Sequence, residues 1–232
     1  DAQRAEPKLK PFLAVIDEAN AKFDPTVAKA TYDMQVAKWQ KNVAAAKAAK
    51  KPLPQKPRDP IATRKLKGGV GGLYNGKIAP LVGYGIRGAL WYQGEANAQP
   101  GKAQYYQTQL SLLVNEWRRQ WNQGEFPFAW VQLPNFDNGK PEWMIVREEM
   151  RKTLAVPNTG MAVTTDIGEA KDIHPRNKQD VGKRLALWAL AKVYGQAVPY
   201  SGPMIASHAV SGERLVLTFD HVEGMKSGGA KL

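Results

Sequence analysis

Between Ile86 and Tyr194 the sequence alternates three short apolar runs with three longer amphipathic stretches. That alternation leaves few folds open. Ile86 to Tyr92, Phe126 to Leu133 and Gly160 to Ile167 are too apolar to be wetted on one face, so they read as strands buried on both. Gln104 to Gln123, Trp143 to Leu154 and Gln179 to Tyr194 read as helices. The first places Tyr106, Leu110, Leu113, Val114, Trp117 and Trp121 on one face, with Gly124 past its end. The second has Arg147, Glu148, Glu149, Arg151 and Lys152 on its wet side. Strands and helices in this order predict an α/β fold, a parallel sheet with covering helices. In such sheets functional residues gather where the strands end.

The segments on either side differ in texture. Residues 1–25 hold a short apolar patch, Phe12 to Ile16, and close at Asp24-Pro25. Residues 27–50 read as a helix, with Thr26 as its N-cap and Tyr32, Val36, Trp39 and Val43 forming one narrow apolar stripe. From Lys51 to Pro60 prolines alternate with basic residues, which predicts a stiff extended linker. Gly68 to Gly72 is expected to be flexible. After Pro199, Met204 to Val210 and Leu215 to Phe219 predict a β-hairpin, the start of a further β-domain. The expected organisation is an N-terminal segment with a basic helical arm and linker at 1–67, an α/β core at 68–199, and the opening of a C-terminal β-domain at 200–232.

Charge follows the same division. The formal net charge is +12, yet residues 26–67 contain eleven Lys or Arg against Asp33 and Asp59. About nine of the excess charges therefore belong to one segment. A solvated basic arm is the expectation, with no nucleic-acid partner. No run of eighteen apolar residues occurs, so no membrane-spanning helix is expected. The absence of cysteine excludes disulfides, thiolate metal sites and thiol nucleophiles. The chain begins without Met and without an apolar signal core, which reads as a processed or internal start.

Two strand-end segments carry candidate chemistry. Asp172-Ile173-His174 sets a carboxylate two residues from an imidazole, so in an extended turn both side chains project to one side. The carboxylate can then hold Nδ1–H and leave Nε2 free as a base. Gln93-Gly94-Glu95 offers a side-chain amide, an open glycine N–H and a carboxylate. The first two suit an oxyanion, the third can orient the histidine or hold the loop, and Asn97 can join that network. A polar turn that merely ends a strand, and a turn histidine beside a chance acid, fit the same residues. No Gly-x-Ser-x-Gly elbow occurs, and none of Ser111, Ser201, Ser207, Ser211 and Ser227 is a credible nucleophile.

Several blocks of the sequence stand out together. They are Gly72-Leu73-Tyr74-Asn75-Gly76-Lys77-Ile78-Ala79-Pro80, Arg87 to Asn97 (with Trp91-Tyr92-Gln93-Gly94-Glu95), and Phe126-Pro127-Phe128. Further on come Gln132-Leu133, Asn158 to Val163, and Asp166-Ile167-Gly168 through Asp172-Ile173-His174-Pro175-Arg176-Asn177-Lys178. Together these blocks resemble bacterial sialate O-acetylesterases, and the resemblance spans roughly residues 68–225. It implies an SGNH-hydrolase-like three-layer α/β/α fold that removes O-acetyl groups from sugars by Ser-His-Asp chemistry, without a metal or other cofactor. It further implies that His174 is the general base, Asp172 its partner, and Gln93, Gly94, Glu95 and Asn97 the oxyanion and substrate-binding region. An O-acetylated sugar or polysaccharide is the implied partner, and a periplasmic or secreted setting the implied location. The family's serine block, of Ser-Gly-Gln-Ser-Asn type, has no counterpart here, and Ala96 stands where the family usually has Ser. The chain is therefore expected to be an internal piece of a longer esterase whose serine lies outside it. The alternative is a non-catalytic carbohydrate-binding or scaffold protein that keeps the fold.

Overall fold

The structure, a computed structural model, describes residues 2–66, 71–137 and 139–223. Gly68, Gly69 and Val70, part of the expected flexible stretch, lie outside the described residues, as does Ser227. Contacts divide the chain into two compact units, Lys10–Tyr84 and a larger one formed by Asp1–Leu9 with Gly85–Leu232. In chain order the helices are α1 (Ala2–Ala5), α2 (Lys10–Ala21), α3 (Pro25–Ala48), α4 (Pro60–Leu66), α5 (Tyr106–Trp121), α6 (Glu142–Lys152) and α7 (Lys178–Lys192). The strands are β1 (Ala89–Trp91), β2 (Phe128–Val131), β3 (Thr159–Ala162), β4 (Met204–Ser211) and β5 (Arg214–Asp220).

The larger unit is the α/β sandwich. β1, β2 and β3 form one parallel sheet in that order, with Ala89 opposite Phe128 and Phe128 opposite Thr159. β2 is central and buried at every position. Its side chains alternate between two layers. Phe128 meets Trp117 of α5, and Trp117 in turn meets Trp91 of β1 edge-on. Ala129 and Val131 join Ala162 with Val181, Leu185 and Trp188 of α7 on the opposite face. Gly160 lets that layer close, because a methyl group there would land inside the Trp188 indole. α5 buries Tyr106, Leu110, Val114 and Trp121, the face its periodicity predicts, and Asn122 ends it in a left-handed cap ahead of Gly124.

A buried arginine joins the strand starts. Arg118 donates through Nε and Nη2 to the Phe126 carbonyl, at 3.1 and 2.9 Å, and through Nη2 to the Asn158 carbonyl at 3.0 Å. α6 departs from expectation. Glu149 is buried and Arg147 has its Nε shut away from water, because this side of the helix packs on α5 and the turn at Ala103–Tyr105. The antiparallel β4–β5 pair follows as predicted. It leaves Ile205, Val210, Leu215 and Val216 exposed.

In the unit Lys10–Tyr84 the apolar patch Phe12 to Ile16 forms part of a helix, α2, and the region 73–81 forms helical turns at Tyr74–Ile78 and Ala79–Leu81. The cap of α3 is Asp24 and not Thr26: its carboxylate accepts from the N–H groups of Thr26 and Val27, and Pro25 takes the first helical position. Tyr32, Val36, Trp39 and Val43 are half-buried, as the stripe predicts. Trp39 Nε1 donates to the Pro54 carbonyl at 2.8 Å, and α4 packs along α3, so the linker folds back over that stripe. No helix among the described residues is long and apolar enough to cross a membrane.

Candidate active site

Because β1, β2 and β3 run parallel, the loops after Trp91, Val131 and Ala162 leave the sheet from one rim. The Gln93–Asn97 turn follows the first, Asn135 follows the second, and the segment 166–176 follows the third.

The first turn is built on Tyr106. Its hydroxyl donates to the Gln93 carbonyl at 2.7 Å, with Gln93 Oε1 at 3.2 Å, and accepts from Trp91 Nε1 at 3.3 Å. Burial raises the Tyr106 phenol far above its ordinary 10.0, so it stays a donor throughout the usual pH range. From there a line of amides runs outward. Gln93 Nε2 donates to Asn97 Oδ1 at 3.1 Å, and Asn97 Nδ2 donates to Gln109 Oε1 at 2.9 Å. Gln93 and Asn97 are thus brought together. Gly94 is buried, and a Cβ there would stand 2.7 Å from Met150 Cε and 3.2 Å from Leu133 Cδ2. Its N–H donates to Glu95 Oε2 at 2.9 Å. The glycine N–H therefore has an internal partner, and Glu95 closes its own turn.

The loop after β3 is held mainly by backbone groups. Glu169 and Asp172 form an antiparallel bridge, and Glu169 Oε1 accepts the Arg176 N–H at 2.9 Å. Asp172 Oδ1 accepts the His174 N–H at 2.9 Å, while the imidazole Nδ1 stands 4.0 Å from the same oxygen. The second distance is too long for a hydrogen bond. The carboxylate closes an Asx turn, and the imidazole, 88% exposed, reaches into solvent. Asp166 is engaged elsewhere, in a two-point ion pair with Arg184 of α7 at 2.6 and 2.7 Å. That bond holds its carboxyl below the ordinary value.

Two ties join these loops across the rim. Asn135 Oδ1 accepts the Gly168 N–H at 2.8 Å, and a Cβ at Gly168 would meet that same oxygen at 2.5 Å. Lys178, in the first turn of α7 and four residues after His174, donates to Tyr92 Oη at 3.1 Å and lies 4.4 Å from that ring's centre. Tyr92 immediately precedes Gln93. The Tyr92–Lys178 contact, like the support from Tyr106 and Gln109, is not among the sequence-based expectations. Its partners stand 86 residues apart, and the one local signal was Lys178 closing the His174 block. Among the described residues no serine lies on this rim: Ser111 is inside α5, Ser207 and Ser211 are in β4, and Ser201 Oγ donates to the Gly202 carbonyl.

Comparison with known proteins gives one family. The sequence pattern of the family described as carbohydrate esterase, sialic acid-specific acetylesterase, matches residues 73–191, just over half of the chain. Sialate O-acetylesterase of Mus musculus is 33% identical over 156 residues, which cover 57% of this chain and 28% of that protein. The Homo sapiens protein of the same name is 32% identical over 156 residues, covering 57% and 29%. The chain thus spans under a third of the length of these curated relatives. A solved carbohydrate acetylesterase from Xanthomonas citri superposes with a TM-score of 0.62 at 44% identity, covering 64% of this chain and 35% of that one.

Proposed function

The chain belongs to the sialic acid-specific acetylesterase family of carbohydrate esterases, and on that premise we propose that it supplies the base and oxyanion side of a sugar O-acetylesterase. The serine is contributed by polypeptide outside these 232 residues. The observation that carries this reading is the shared rim: the Gln93–Asn97 turn and the His174 loop leave the same end of the sheet from β1 and β3, the strands that flank β2, and Lys178 bonds to Tyr92 between them.

In the proposed reaction Nε2 of His174 takes the proton of the serine hydroxyl as its oxygen attacks the acetyl carbonyl. The carbonyl becomes an oxyanion, and the Gln93 amide and the Gly94 N–H donate to it. The imidazolium returns its proton to the sugar oxygen, the ester C–O bond breaks, and the deacetylated sugar leaves. Water activated by the same imidazole then releases acetate and restores the serine. Two local changes prepare the site. The imidazole turns so that Nδ1–H meets Asp172, closing the 4.0 Å gap, and Glu95 yields the Gly94 N–H. Asp172 then orients the ring and stabilises its charged form. Asn97 positions the Gln93 amide. β1 has no partner on its outer edge among the described residues, which suits a strand carrying the serine. The substrate is an O-acetylated sugar of the sialic acid class, and the setting is periplasmic or secreted.

Two observations favour the non-catalytic alternative: the Gly94 N–H is already occupied by Glu95, and the His174 Nδ1 stands 4.0 Å from Asp172 with the ring 88% exposed. Acetate release from O-acetylated sialic acid separates the two readings. The chain extended by its upstream-encoded segment is expected to turn over, and His174→Ala to lower that rate by about 10³-fold or more. Unchanged turnover in His174→Ala contradicts the assigned base. Sugar binding without turnover by the extended protein establishes the alternative.

A further inference from the structure

We propose that the unit Lys10–Tyr84 carries a binding surface for an anionic polysaccharide, formed by the C-terminal half of α3 and the proline-rich linker that folds back along it. The choice of a polysaccharide rests on the carbohydrate reading above; the surface itself rests on charge and geometry within this unit.

Positive charge is unevenly placed along α3. Towards its N-terminus Lys29 is neutralised by Asp33, with Nζ 2.7 Å from both carboxylate oxygens. Towards its C-terminus Lys38, Lys41 and Lys47 are exposed, and Lys50, Lys51, Lys56 and Arg58 continue the series, also exposed. None of these seven forms an ion pair among the described residues. The other acid of the segment, Asp59, is committed to the start of α4, where Oδ1 accepts from the N–H groups of Ile61 at 2.8 Å and Ala62 at 3.0 Å.

The fold then gathers the charges. The Trp39–Pro54 hydrogen bond, 2.8 Å long and spanning fifteen residues, returns the linker to the helix it has just left. Lys56 Nζ consequently sits 5.9 Å from the centre of the Trp39 ring, on a helix that also presents Lys38 and Lys41. Pro52, Pro54 and Pro57 keep the linker extended, so its charges stay spread along a line. Two basic segments tied together at Trp39 and Pro54 without interleaved acids repel each other across distances near the Debye length, roughly 8–10 Å. A polymer bearing regularly spaced anions relieves that repulsion at every contact and releases its own counterions.

A carboxylate-bearing glycan fits these segments better than nucleic acid. Six of the seven exposed cations are lysines, which act as point charges and lack the two-pronged geometry that reads phosphates and bases. Trp39, the tryptophan of this unit, offers no stacking platform, since its N–H is bonded to Pro54 and Lys56 lies over its face.

The test is a titration of the 232-residue chain with polysialic acid free of O-acetyl groups, read by calorimetry at 50 mM and 300 mM NaCl. Dextran and duplex DNA serve as comparison polymers. Polysialic acid is expected to bind at low salt and to weaken about tenfold or more at high salt, while dextran does not bind. Two variants, Lys38→Gln/Lys41→Gln/Lys47→Gln and Lys50→Gln/Lys51→Gln/Lys56→Gln, are each expected to weaken binding about tenfold with unchanged helical circular dichroism. If either loses helicity, the other carries the comparison. Absence of polysialic acid binding, or equal binding by a folded variant, overturns the proposal. So does tighter binding of DNA at equal charge concentration, which would assign the surface to nucleic acid. No turnover is measured, so failure here leaves the esterase reading intact, and the reverse also holds.

Discussion

At the scale of single residues, Asp172 shows how one spacing serves two purposes. An acid two positions before a histidine is placed to brace its ring and equally placed to accept its backbone N–H. In the structure the backbone wins, at 2.9 Å against 4.0 Å for Nδ1. The pattern was legible in the sequence; the choice between its two outcomes was not, because an Asx turn needs no partner beyond its own loop. Asp166 is a cleaner case, since Arg184 fixes both of its oxygens. Its folded pKa lies below the ordinary 3.8, so the pair stabilises the fold above that pH, and the contribution is lost as pH falls through the folded value. Asp166→Asn should therefore lower stability by about 0.5 kcal/mol near neutrality, the scale of an exposed pair. Urea unfolding at pH 7 and at pH 3 measures it, and the gap between wild type and variant should shrink at the lower pH. A gap that widens on acidification would mean the pair does not stabilise the fold.

At the scale of elements, the sheet was readable because parallel strands buried on both faces must be written as apolar runs. The ends were overrun: Ile86 to Tyr92 shortens to Ala89–Trp91, since pairing with β2 begins only where the Ala89 N–H donates to the Pro127 carbonyl. The α6 side chains were misplaced for a related reason. Charge alone assigns Glu149 and Arg147 to water, whereas packing of α6 on α5 buries much of both. What aligns the strand starts is Arg118, a charge in the core that periodicity on α5 counts as an exception. It serves carbonyls at the head of β2 and of β3, so Arg118→Met leaves the Phe126 carbonyl without a donor and the Asn158 carbonyl with the Phe128 N–H alone. A loss of about 3 kcal/mol is expected from urea midpoints. Arg118→Lys should recover only part of it, because one ammonium does not reproduce the planar fork. A loss under about 0.5 kcal/mol in Arg118→Met would show that water satisfies the Phe126 carbonyl instead.

At the scale of the molecule, one rim gathers a histidine loop, an amide-rich turn and the lysine–tyrosine tie between them, and the basic stretch Lys10–Tyr84 forms the other compact unit. The family pattern covers the first and only the end of the second. In the sequence the boundary falls at 67/68, on the change from Lys-Ala and Pro-Lys tracts to apolar strands, whereas the contacts divide the chain after Tyr84 and group Asp1–Leu9 with the larger unit. The tie was not legible there, since side chains that meet across a sheet rim leave no periodic trace. The central claim is that this rim activates a serine supplied from outside residues 1–232. Labelling by a fluorophosphonate, with the modified residue mapped by mass spectrometry, tests it directly. The chain alone should remain unlabelled, the upstream-extended protein should be labelled at one serine beyond these residues, and His174→Ala should abolish that labelling. A label on any residue of this chain, or labelling indifferent to His174→Ala, would contradict it.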